Sequence, residues 1–347
     1  MALVSYARRL VSWYRANARQ LPWRTSPRDP YHSLVSELMA QQTQIDRVVP
    51  RFEAFVDRFP TLGELAAASE DEVLELWSGL GYYRRARLLH RLAREVAGVS
   101  GELPRTAAEL ERLPGIGPYT AAALSSMVFG EAVPVMDGNV ARVGARVLAA
   151  AGDPRRRQVR SAILAWVTGL MADAKPGEVN EALMELGARL CTPTGPRCQA
   201  CPLADCCRGL LGGNPEQYPT PRATREPVEL RWIAVIVNDT AGRWLLRRVT
   251  EGPILRGLWL PPFAEPDPSL GLEEQVFGML PFTADGAVEV CSAVRHSITH
   301  RRIEVTPVRV RAGDQRELPV GWSWSDPGAP NLPTSSLLDK LVRSIRA

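Results

Sequence analysis

The sequence predicts a helical domain of about 210 residues followed by a smaller domain of mixed α/β structure. In residues 1–210 apolar residues recur with helical spacing, whereas beyond residue 228 they alternate with a period of two, as in half-buried strands. Between these regions, residues 209–228 are rich in glycine and proline, which predicts a semi-stiff linker. A chain of 347 residues is long enough for two such domains.

Three segments of the helical domain carry the signature of a capped helix start. Each has a hydroxyl residue followed three positions later by a glutamate: Thr61 and Glu64, Ser69 and Glu72, Thr106 and Glu109. In such a capping box the hydroxyl and the carboxylate each accept a hydrogen bond from a backbone N–H that has no partner inside the helix. We therefore expect a helix to begin after each of the three hydroxyl residues.

A glycine-rich turn runs from Leu113 to Thr120 with the sequence Leu-Pro-Gly-Ile-Gly-Pro-Tyr-Thr. Gly115 and Gly117 permit close backbone approach, and a helix beginning near Pro118 would present free N–H groups that can bind a phosphate. This pattern favours a helix-hairpin-helix that holds DNA without reading its sequence. An ordinary turn between two helices is the alternative.

Asp137 follows an apolar segment and begins the turn Asp137-Gly138-Asn139. Taken alone, such an aspartate is typical of a solvated turn or a helix N-cap. Its position shortly after the glycine-rich turn makes it a candidate for chemistry.

In the second domain, period-two stretches predict strands at 232–237, 244–249 and 303–310. Pro307 interrupts the last stretch. Because proline cannot donate to a strand ladder, an edge strand or a bulge is expected there.

Five of the six cysteines lie within residues 191–207, which does not fit a distributed disulfide framework. Cys191, Cys198, Cys201 and Cys207 have six, two and five residues between them. Four thiolates this close in sequence can converge on a zinc ion or on an iron–sulfur cluster. Cys206 is a second candidate for the fourth position. The cysteine usage favours a reducing, cytoplasmic setting.

Charge and hydropathy exclude further classes. The 42 basic residues exceed the 38 acidic residues by only four, but forty of the basic residues are arginine and only Lys175 and Lys340 are lysine. Chemistry that requires a lysine amine therefore has few candidates. No apolar run approaches the ~20 residues of a membrane span, and no secretion signal is recognisable. We expect no membrane association.

The glycine-rich turn, the trailing aspartate and the four-cysteine loop together resemble the helix-hairpin-helix base-excision glycosylases. Across nearly the whole chain the sequence is similar to the MutY-type adenine DNA glycosylases, in the stretches Leu21–Arg24, Ser36–Gln44, Gly79–Tyr83, Leu113–Thr120, Asp137–Val140 and Asn180–Gly187. The resemblance implies a helical glycosylase domain at 1–208 (a six-helix part at about 28–130 and an iron–sulfur part from 1–27 and 131–208), the linker at 209–228 and a Nudix-like lesion-recognition domain of mixed α/β structure at 229–347.

The resemblance also implies catalytic roles. Glu37 would protonate the adenine at N7, and Asp137 would stabilise the cationic sugar, as in glycoside hydrolysis. Tyr119 and Asn139 would shape the surroundings of Asp137. Glu37 can act as an acid near neutral pH only if a dry pocket raises its pKa. Because a duplex hides the glycosidic bond, the adenine must be flipped out.

Other residues are assigned to the cofactor and the DNA. The spacing C-x6-C-x2-C-x5-C matches the family's loop for a [4Fe–4S] cluster, with Cys207 rather than Cys206 as the fourth ligand. By the same resemblance, the residues expected to contact the DNA are Arg24 and Glu181 in the adenine pocket, Gly115 and Gly117 in the hairpin, and Gln42, Thr43, Leu80 and Tyr82 at the gap or the opposite base. For Tyr82 a core position is the alternative.

In the Nudix-like domain, Thr299 and His300 correspond to the last two residues of the family's lesion-sensing Phe-Ser-His tip. Ile298 stands where the family has the aromatic residue.

The predicted function is that of a monofunctional glycosylase that removes adenine mispaired with 8-oxoguanine or guanine in double-stranded DNA. Endonuclease III-like lyases carry a nucleophilic lysine where this chain has Tyr119, which implies weak or no strand cleavage. The alternatives are a glycosylase for another base, such as thymine in G·T, and a non-catalytic iron–sulfur DNA-binding module. We expect a bacterial, cytoplasmic monomer that associates with the nucleoid through DNA.

Overall fold

The computed structural model describes residues 2–220, 226–284, 287–311, 317–328 and 330–346. The chain divides into two compact units, one formed by residues 1–68 and 84–223 and the other by residues 69–83 and 224–347. The first unit is helical and the second is built on a mixed sheet, which confirms the predicted fold class. The predicted domain bounds remain a prediction, and residues 221–225 of the predicted linker lie outside the described residues.

The described residues form fourteen α-helices and eight strands. The helices are α1 (Ala2–Asn17), α2 (Pro30–Ala40), α3 (Ile45–Arg58), α4 (Leu62–Ala67), α5 (Glu70–Leu76), α6 (Arg84–Ala97), α7 (Ala107–Leu110), α8 (Pro118–Phe129), α9 (Gly138–Leu148), α10 (Arg157–Met171), α11 (Pro176–Arg189), α12 (Arg208–Leu211), α13 (Leu272–Gly278) and α14 (Ser336–Arg346). The strands are β1 (Val228–Asn238), β2 (Trp244–Arg248), β3 (Trp259–Leu260), β4 (Phe263–Ala264), β5 (Val288–Val290), β6 (Val294–Ile298), β7 (Arg301–Arg311) and β8 (Trp322–Ser325). Among the described residues, no helix combines the length and the apolar character needed to cross a membrane.

Two of the three predicted capping boxes are complete, those that begin α4 and α5. At the third, the Thr106 hydroxyl accepts from the Glu109 N–H at 3.3 Å, as expected for an N-cap. The Glu109 carboxylate also accepts from the Thr106 hydroxyl at 2.6 Å. Helix α7 is only four residues long.

Four helices of the first unit, α1, α9, α10 and α11, share one apolar core. Leu10 on α1, Val143 on α9 and Leu183 on α11 are almost fully buried in it. Cys207 also packs in this core, so the cysteine-rich loop after α11 is attached to the helices that carry it. This arrangement brings the start of α9 and the middle of α11 together, where several predicted site residues lie.

The second unit contains a sheet in the order β3-β2-β1-β7-β5, with β4 on β1, β6 on β7 and β8 on β2. The central pair, β1 and β7, is parallel, from Val228 opposite Arg301 to Asn238 opposite Arg311. Apolar side chains on one face of the sheet pack with α14, and those on the other face pack with α13. A strand pair buried on both faces accounts for the apolar run in β1.

Pro307 lies inside the sheet, in β7, so the expected edge strand was wrong. The alternative of a bulge agrees with the register, because the antiparallel pairs change from Val290 opposite Val308 to Val294 opposite Val305, which leaves one extra residue on the partner side. One side of β7 pairs with β1, whereas the other side pairs with β6 over residues 301–305 and with β5 over residues 308–310. The Pro307 carbonyl accepts from the Cys291 N–H at 2.8 Å, on the side where β6 and β5 are separate. The missing proline N–H therefore falls at the gap between two short strands and interrupts no continuous ladder.

The segment 69–83 belongs to the second unit. The Tyr83 hydroxyl donates to the Thr334 carbonyl, and Arg248 lies 3.6 Å from the Asp71 carboxylate. Trp77 is fully buried. These partners are far apart in the chain, and local sequence patterns do not predict them.

Candidate active site and cysteine cluster

Glu37 lies near the end of α2, a helix that Asp29 caps by accepting from the His32 N–H at 2.7 Å. The neighbours Ser36 and Leu38 are buried, whereas part of Glu37 stays accessible. The surrounding protein nevertheless removes most water from the carboxyl group, and this burial raises the pKa of Glu37 to about 7. The surroundings of Glu37 therefore shift its pKa in the direction that an acid near neutral pH requires.

The Tyr119 hydroxyl donates a hydrogen bond of 2.9 Å to Glu37 Oε2. Tyr119 is in the first turn of α8, directly after the glycine-rich turn, so the hairpin fixes its position. Burial, reinforced by the charge of Glu37, raises the pKa of Tyr119 well above its usual value. Tyr119 therefore remains a neutral donor at physiological pH.

Asp137 is the N-cap of α9, which is one of the two structural roles that its local sequence predicted. Its Oδ1 accepts from the Val140 N–H at 2.6 Å and its Oδ2 accepts from Asn139 Nδ2 at 2.9 Å. Burial raises the pKa of Asp137, and these two hydrogen bonds oppose the rise. The charge of Asp137 in turn raises the pKa of Glu37, so the two carboxyl groups share one electrostatic environment.

Arg142 and Gly187 fix the position of Asn139. Asn139 Oδ1 accepts from Arg142 Nη2 at 2.9 Å, and Arg142 also donates to the carbonyls of Gly187 and Cys191 at 2.9 and 2.7 Å. A Cβ atom on Gly187 would lie 2.5 Å from the Asn139 Cβ, so α9 and α11 can approach this closely only with glycine there. Sequence reasoning did not find Arg142.

Two glutamates on α11, Glu181 and Glu185, are 7% and 1% exposed. Glu181 accepts from Arg28 at 2.5 Å and lies 3.4 Å from Arg24. Glu185 lies 3.0 Å from Arg24 and 2.8 Å from Arg19. Buried carboxylates need such partners because desolvation strongly disfavours an unpaired charge.

The structure therefore brings the predicted pair Arg24 and Glu181 together. Sequence reasoning missed Arg19, Arg28 and Glu185. The available signal was the four-residue spacing of the two glutamates on a predicted helix, which places both on one face.

Of the hairpin glycines, only Gly115 is required by its conformation. It has φ +80°, and a Cβ atom there would lie 2.7 Å from the Leu88 Cβ. Gly117, the N-cap of α8, has φ −98° and open space around its Cα. Pro118 follows as the first helical residue, as expected.

Gln42, Tyr82 and Thr299 have left-handed backbones, with φ of 56°, 50° and 57°. They are three of the five non-glycine residues with positive φ in the described part of the chain, and all three were predicted to contact DNA. The conformation is costly for residues other than glycine, above all for a β-branched threonine. Such strain clusters at ligand contacts and active sites.

In the second unit, Leu80 is 5% exposed and Tyr82 is 41% exposed. Tyr82 is therefore not a core aromatic residue. Thr299 and His300 form the turn between β6 and β7, and the Thr299 hydroxyl donates to the Ile298 carbonyl at 2.6 Å.

Four cysteines, Cys191, Cys198, Cys201 and Cys207, line one cavity. Arg146 Nη1 lies 3.3 Å from Cys191 Sγ at this cavity. Cys206 is not part of the lining, and its Sγ lies 3.3 Å from the Leu203 carbonyl oxygen. As they stand, no three His, Cys, Asp or Glu side chains within the described ranges form a group that could hold a metal ion. The residues nevertheless fit a thiolate-bound group, since four cysteines line one cavity.

Residues 35–168 match the HhH-GPD superfamily of base excision DNA repair proteins. An adenine DNA glycosylase from Mycolicibacterium smegmatis is 38% identical over 283 residues, which cover 80% of this chain and 93% of that protein. The human adenine DNA glycosylase is 44% identical over 217 residues, which cover 60% of this chain. Those residues span only 40% of the human protein.

Among solved structures, a thermostable thymine-DNA glycosylase matches with a TM-score of 0.54 at 25% identity. This match covers 60% of the present chain and 95% of the other. The alignment with the bacterial relative covers most of both proteins, and that relative and the human one are both adenine DNA glycosylases. The chain belongs to the adenine DNA glycosylase family.

Proposed function

We propose that this protein removes adenine from a mispair in duplex DNA by hydrolysis of the N-glycosidic bond. The single observation that supports this most is the carboxyl group of Glu37, which has a pKa of about 7 and is held by the Tyr119 hydroxyl at 2.9 Å. A carboxyl group with this pKa is half protonated near neutral pH and can act first as an acid and then as a base. Cleavage of a purine from its sugar needs both functions.

In the proposed reaction the flipped adenine receives a proton at N7 from Glu37. The bond between C1′ and N9 then breaks, and its electron pair leaves with the base. Asp137 stabilises the resulting cationic sugar, and a water molecule adds to C1′ while Glu37 accepts the water's proton. Because Tyr119 donates to one oxygen of Glu37, the other oxygen is available for the proton that is transferred.

We further propose that the adenine lies against the paired charges around Glu181 and Arg24. The carboxylates of Glu181 and Glu185 both form ion pairs with arginines, so their orientation is fixed before the base binds. A fixed carboxylate can accept hydrogen bonds from an amino group and does not have to reorganise during the reaction.

The opposite base that we propose is 8-oxoguanine or guanine, with Thr299 and His300 at the lesion. The strained turn at Thr299 supports a contact role, since a β-branched residue in this conformation is unusual. The alternative of thymine removal draws on a fold likeness, whereas the relatives that cover most of their own length are adenine glycosylases.

The decisive test is a base-release assay on four duplexes: adenine opposite 8-oxoguanine, opposite guanine and opposite cytosine, and thymine opposite guanine. We expect free adenine from the first two, and little release from the last two. Release of thymine without release of adenine would refute the proposal. Release from none of the four by a folded, DNA-binding protein would favour the non-catalytic alternative.

We also propose that Cys191, Cys198, Cys201 and Cys207 hold a [4Fe–4S] cluster. When bound, such a cluster would cross-link the loop that carries these residues and fix its shape. Cys207 is preferred to Cys206 because it lines the same cavity as the other three cysteines.

The adjacent cysteines offer a matched test. We expect the wild type and Cys206→Ser to be brown, with about four iron and four sulfide per chain. Cys207→Ser should lose most of the visible absorption and the iron. The reverse result would make Cys206 the fourth ligand, and a colourless protein containing zinc would contradict the cluster assignment altogether.

Duplex DNA as the partner, a monomeric state and a cytoplasmic setting complete the proposal. Gel filtration with light scattering, with and without a mispaired duplex, would measure the first two.

A further inference from the structure

The loop after α2 is held by one arginine from another helix. Arg85, on α6, places Nη1 2.6 Å from the Leu38 carbonyl and 3.1 Å from the Met39 carbonyl, and it also donates to the Gln41 carbonyl. Its Nη2 lies 3.2 Å from the Thr43 hydroxyl oxygen. A single guanidinium group thus contacts four acceptors along the end of the helix and the loop.

The hydrogen bonds from Arg85 take the place of the usual C-terminal cap of α2. The last carbonyls of a helix have no partner inside it, and a glycine in the left-handed conformation often closes the end. Here Gln42 takes the left-handed conformation, with φ 56°, although it is not glycine. The planar fork of Arg85 suits several acceptors at once, and its positive charge is favourable at the negative end of the helix dipole.

A second contact holds the same loop from the other side. Gln41 Nε2 donates to the Thr120 hydroxyl at 3.1 Å, and Thr120 follows Tyr119 on α8. The backbone around Gln42 is therefore fixed from α6 and from α8. The Gln42 side chain itself is exposed, so it is free to meet a ligand.

We propose that Arg85 is a positioning residue that presents Gln42 and Thr43 to the base opposite the adenine. Arg85 then affects the selectivity for the base that stands opposite the adenine, because hydrogen bonding to a base edge requires polar groups at fixed positions. Arg85 contacts backbone carbonyls and Thr43 in this loop, and the acid Glu37 is held separately by Tyr119. This inference rests on the proposed function.

The test compares Arg85→Ala, Arg85→Lys and the control Arg94→Ala. Arg94 is an exposed arginine on the same helix, so its loss removes the same charge. For each protein, kcat/KM and the single-turnover rate at saturating enzyme are measured with adenine opposite 8-oxoguanine and opposite cytosine. Circular dichroism and thermal melting verify folding.

For Arg85→Ala we expect the ratio of the two kcat/KM values to fall on the order of tenfold. Its single-turnover rate on the 8-oxoguanine duplex should stay within about threefold of the wild type, because the acid is unaffected. Arg85→Lys keeps the charge but not the planar fork, so its ratio should lie between those of Arg85→Ala and the wild type. Arg94→Ala should keep the wild-type ratio.

A folded Arg85→Ala with an unchanged ratio would overturn the inference, and so would an equal loss on both duplexes with a parallel loss of single-turnover rate. If Arg85→Ala does not fold, Arg85→Lys provides the test. A wild-type ratio of the two kcat/KM values in Arg85→Lys would contradict the inference. Absence of adenine release by the wild type would instead refute the proposed function, and this inference with it.

Discussion

Glu37 is a side chain whose chemistry is set by what surrounds it. Burial raises its pKa to about 7, while the hydrogen bond from Tyr119 acts in the opposite direction by stabilising the ionised form. The two effects leave an acid that can give up its proton and take it back near neutral pH. A more deeply isolated carboxyl group would hold its proton too strongly to act as the base.

The rate should therefore depend on pH in a definite direction. The proposed reaction needs Glu37 protonated, so the single-turnover rate at saturating enzyme should fall as pH rises through about 7, by about tenfold per pH unit well above it. Glu37→Gln should release no measurable adenine while it still binds the mispaired duplex. A rate that rises with pH across this range would contradict the assignment of Glu37 as the acid.

Tyr119→Phe is the matched variant for this pH profile. Because the Tyr119 hydrogen bond lowers the pKa of Glu37, its removal should move the fall in rate to higher pH. A shift to lower pH would show that another group controls the profile.

At the scale of elements, the two glycines of the hairpin have different structural roles. Gly115 has a positive φ and no room for a Cβ atom, whereas Gly117 has an ordinary φ and open space. Gly117 can therefore serve close approach to a ligand, and Gly115 serves the fold of the turn itself.

The two alanine variants should thus differ. Gly115→Ala should lower the free energy of unfolding by about 1–3 kcal/mol, because alanine is strained there and contacts Leu88. Gly117→Ala should change stability by no more than about 0.5 kcal/mol yet weaken binding to any duplex. Thermal melting and fluorescence anisotropy with a matched duplex measure both. Unchanged DNA affinity for Gly117→Ala would mean that the hairpin backbone does not approach DNA.

Elements were predictable where their cause is local. The hydroxyl–glutamate spacing located the starts of α4 and α5, and the two glycines with Pro118 located the start of α8. The edge strand expected at Pro307 was wrong, because the proline is tolerated inside the sheet only where β5 ends and β6 begins, and neighbouring residues do not encode that position. The contact between Arg19 and Glu185 joins residues 166 positions apart and likewise has no local signal.

At the scale of the whole molecule, composition limits the chemistry. Only two lysines occur in the chain, and both lie far in sequence from Tyr119. Lys175 is the N-cap residue of α11, and Lys340 on α14 donates to the Arg295 carbonyl at 2.9 Å. By the resemblance to endonuclease III-like lyases, Tyr119 stands at the position where those enzymes carry their lysine.

Borohydride trapping should consequently fail. A lyase forms an imine between its amine and the sugar, which borohydride reduces to a stable covalent complex. With adenine opposite 8-oxoguanine we expect an intact abasic strand until alkali is added, and no trapped complex above background. An endonuclease III-type lyase on its own substrate is the positive control. Efficient trapping would contradict the monofunctional assignment.

The candidate site as a set of residue types was largely predictable, since Glu37, Tyr119, Asp137 and Asn139 do lie together. The residues that hold them were not. Arg28, Arg85 and Arg142 look like ordinary surface charges in the sequence, and only the folded chain shows their partners. Orientation of a reactive group depends on tertiary contacts, which hydrophobic periodicity does not report.

The paired charges around Glu181 and Glu185 have one more consequence, which concerns dissolved ions. Each carboxylate is neutralised by arginines inside the protein, where added salt reaches poorly and screens little. In the proposed complex with DNA, contacts to the phosphate backbone lie at the protein surface, and counterion release makes their strength fall steeply with salt. Rising ionic strength should therefore weaken binding of the duplex. The single-turnover rate of adenine release from the bound complex should stay nearly constant.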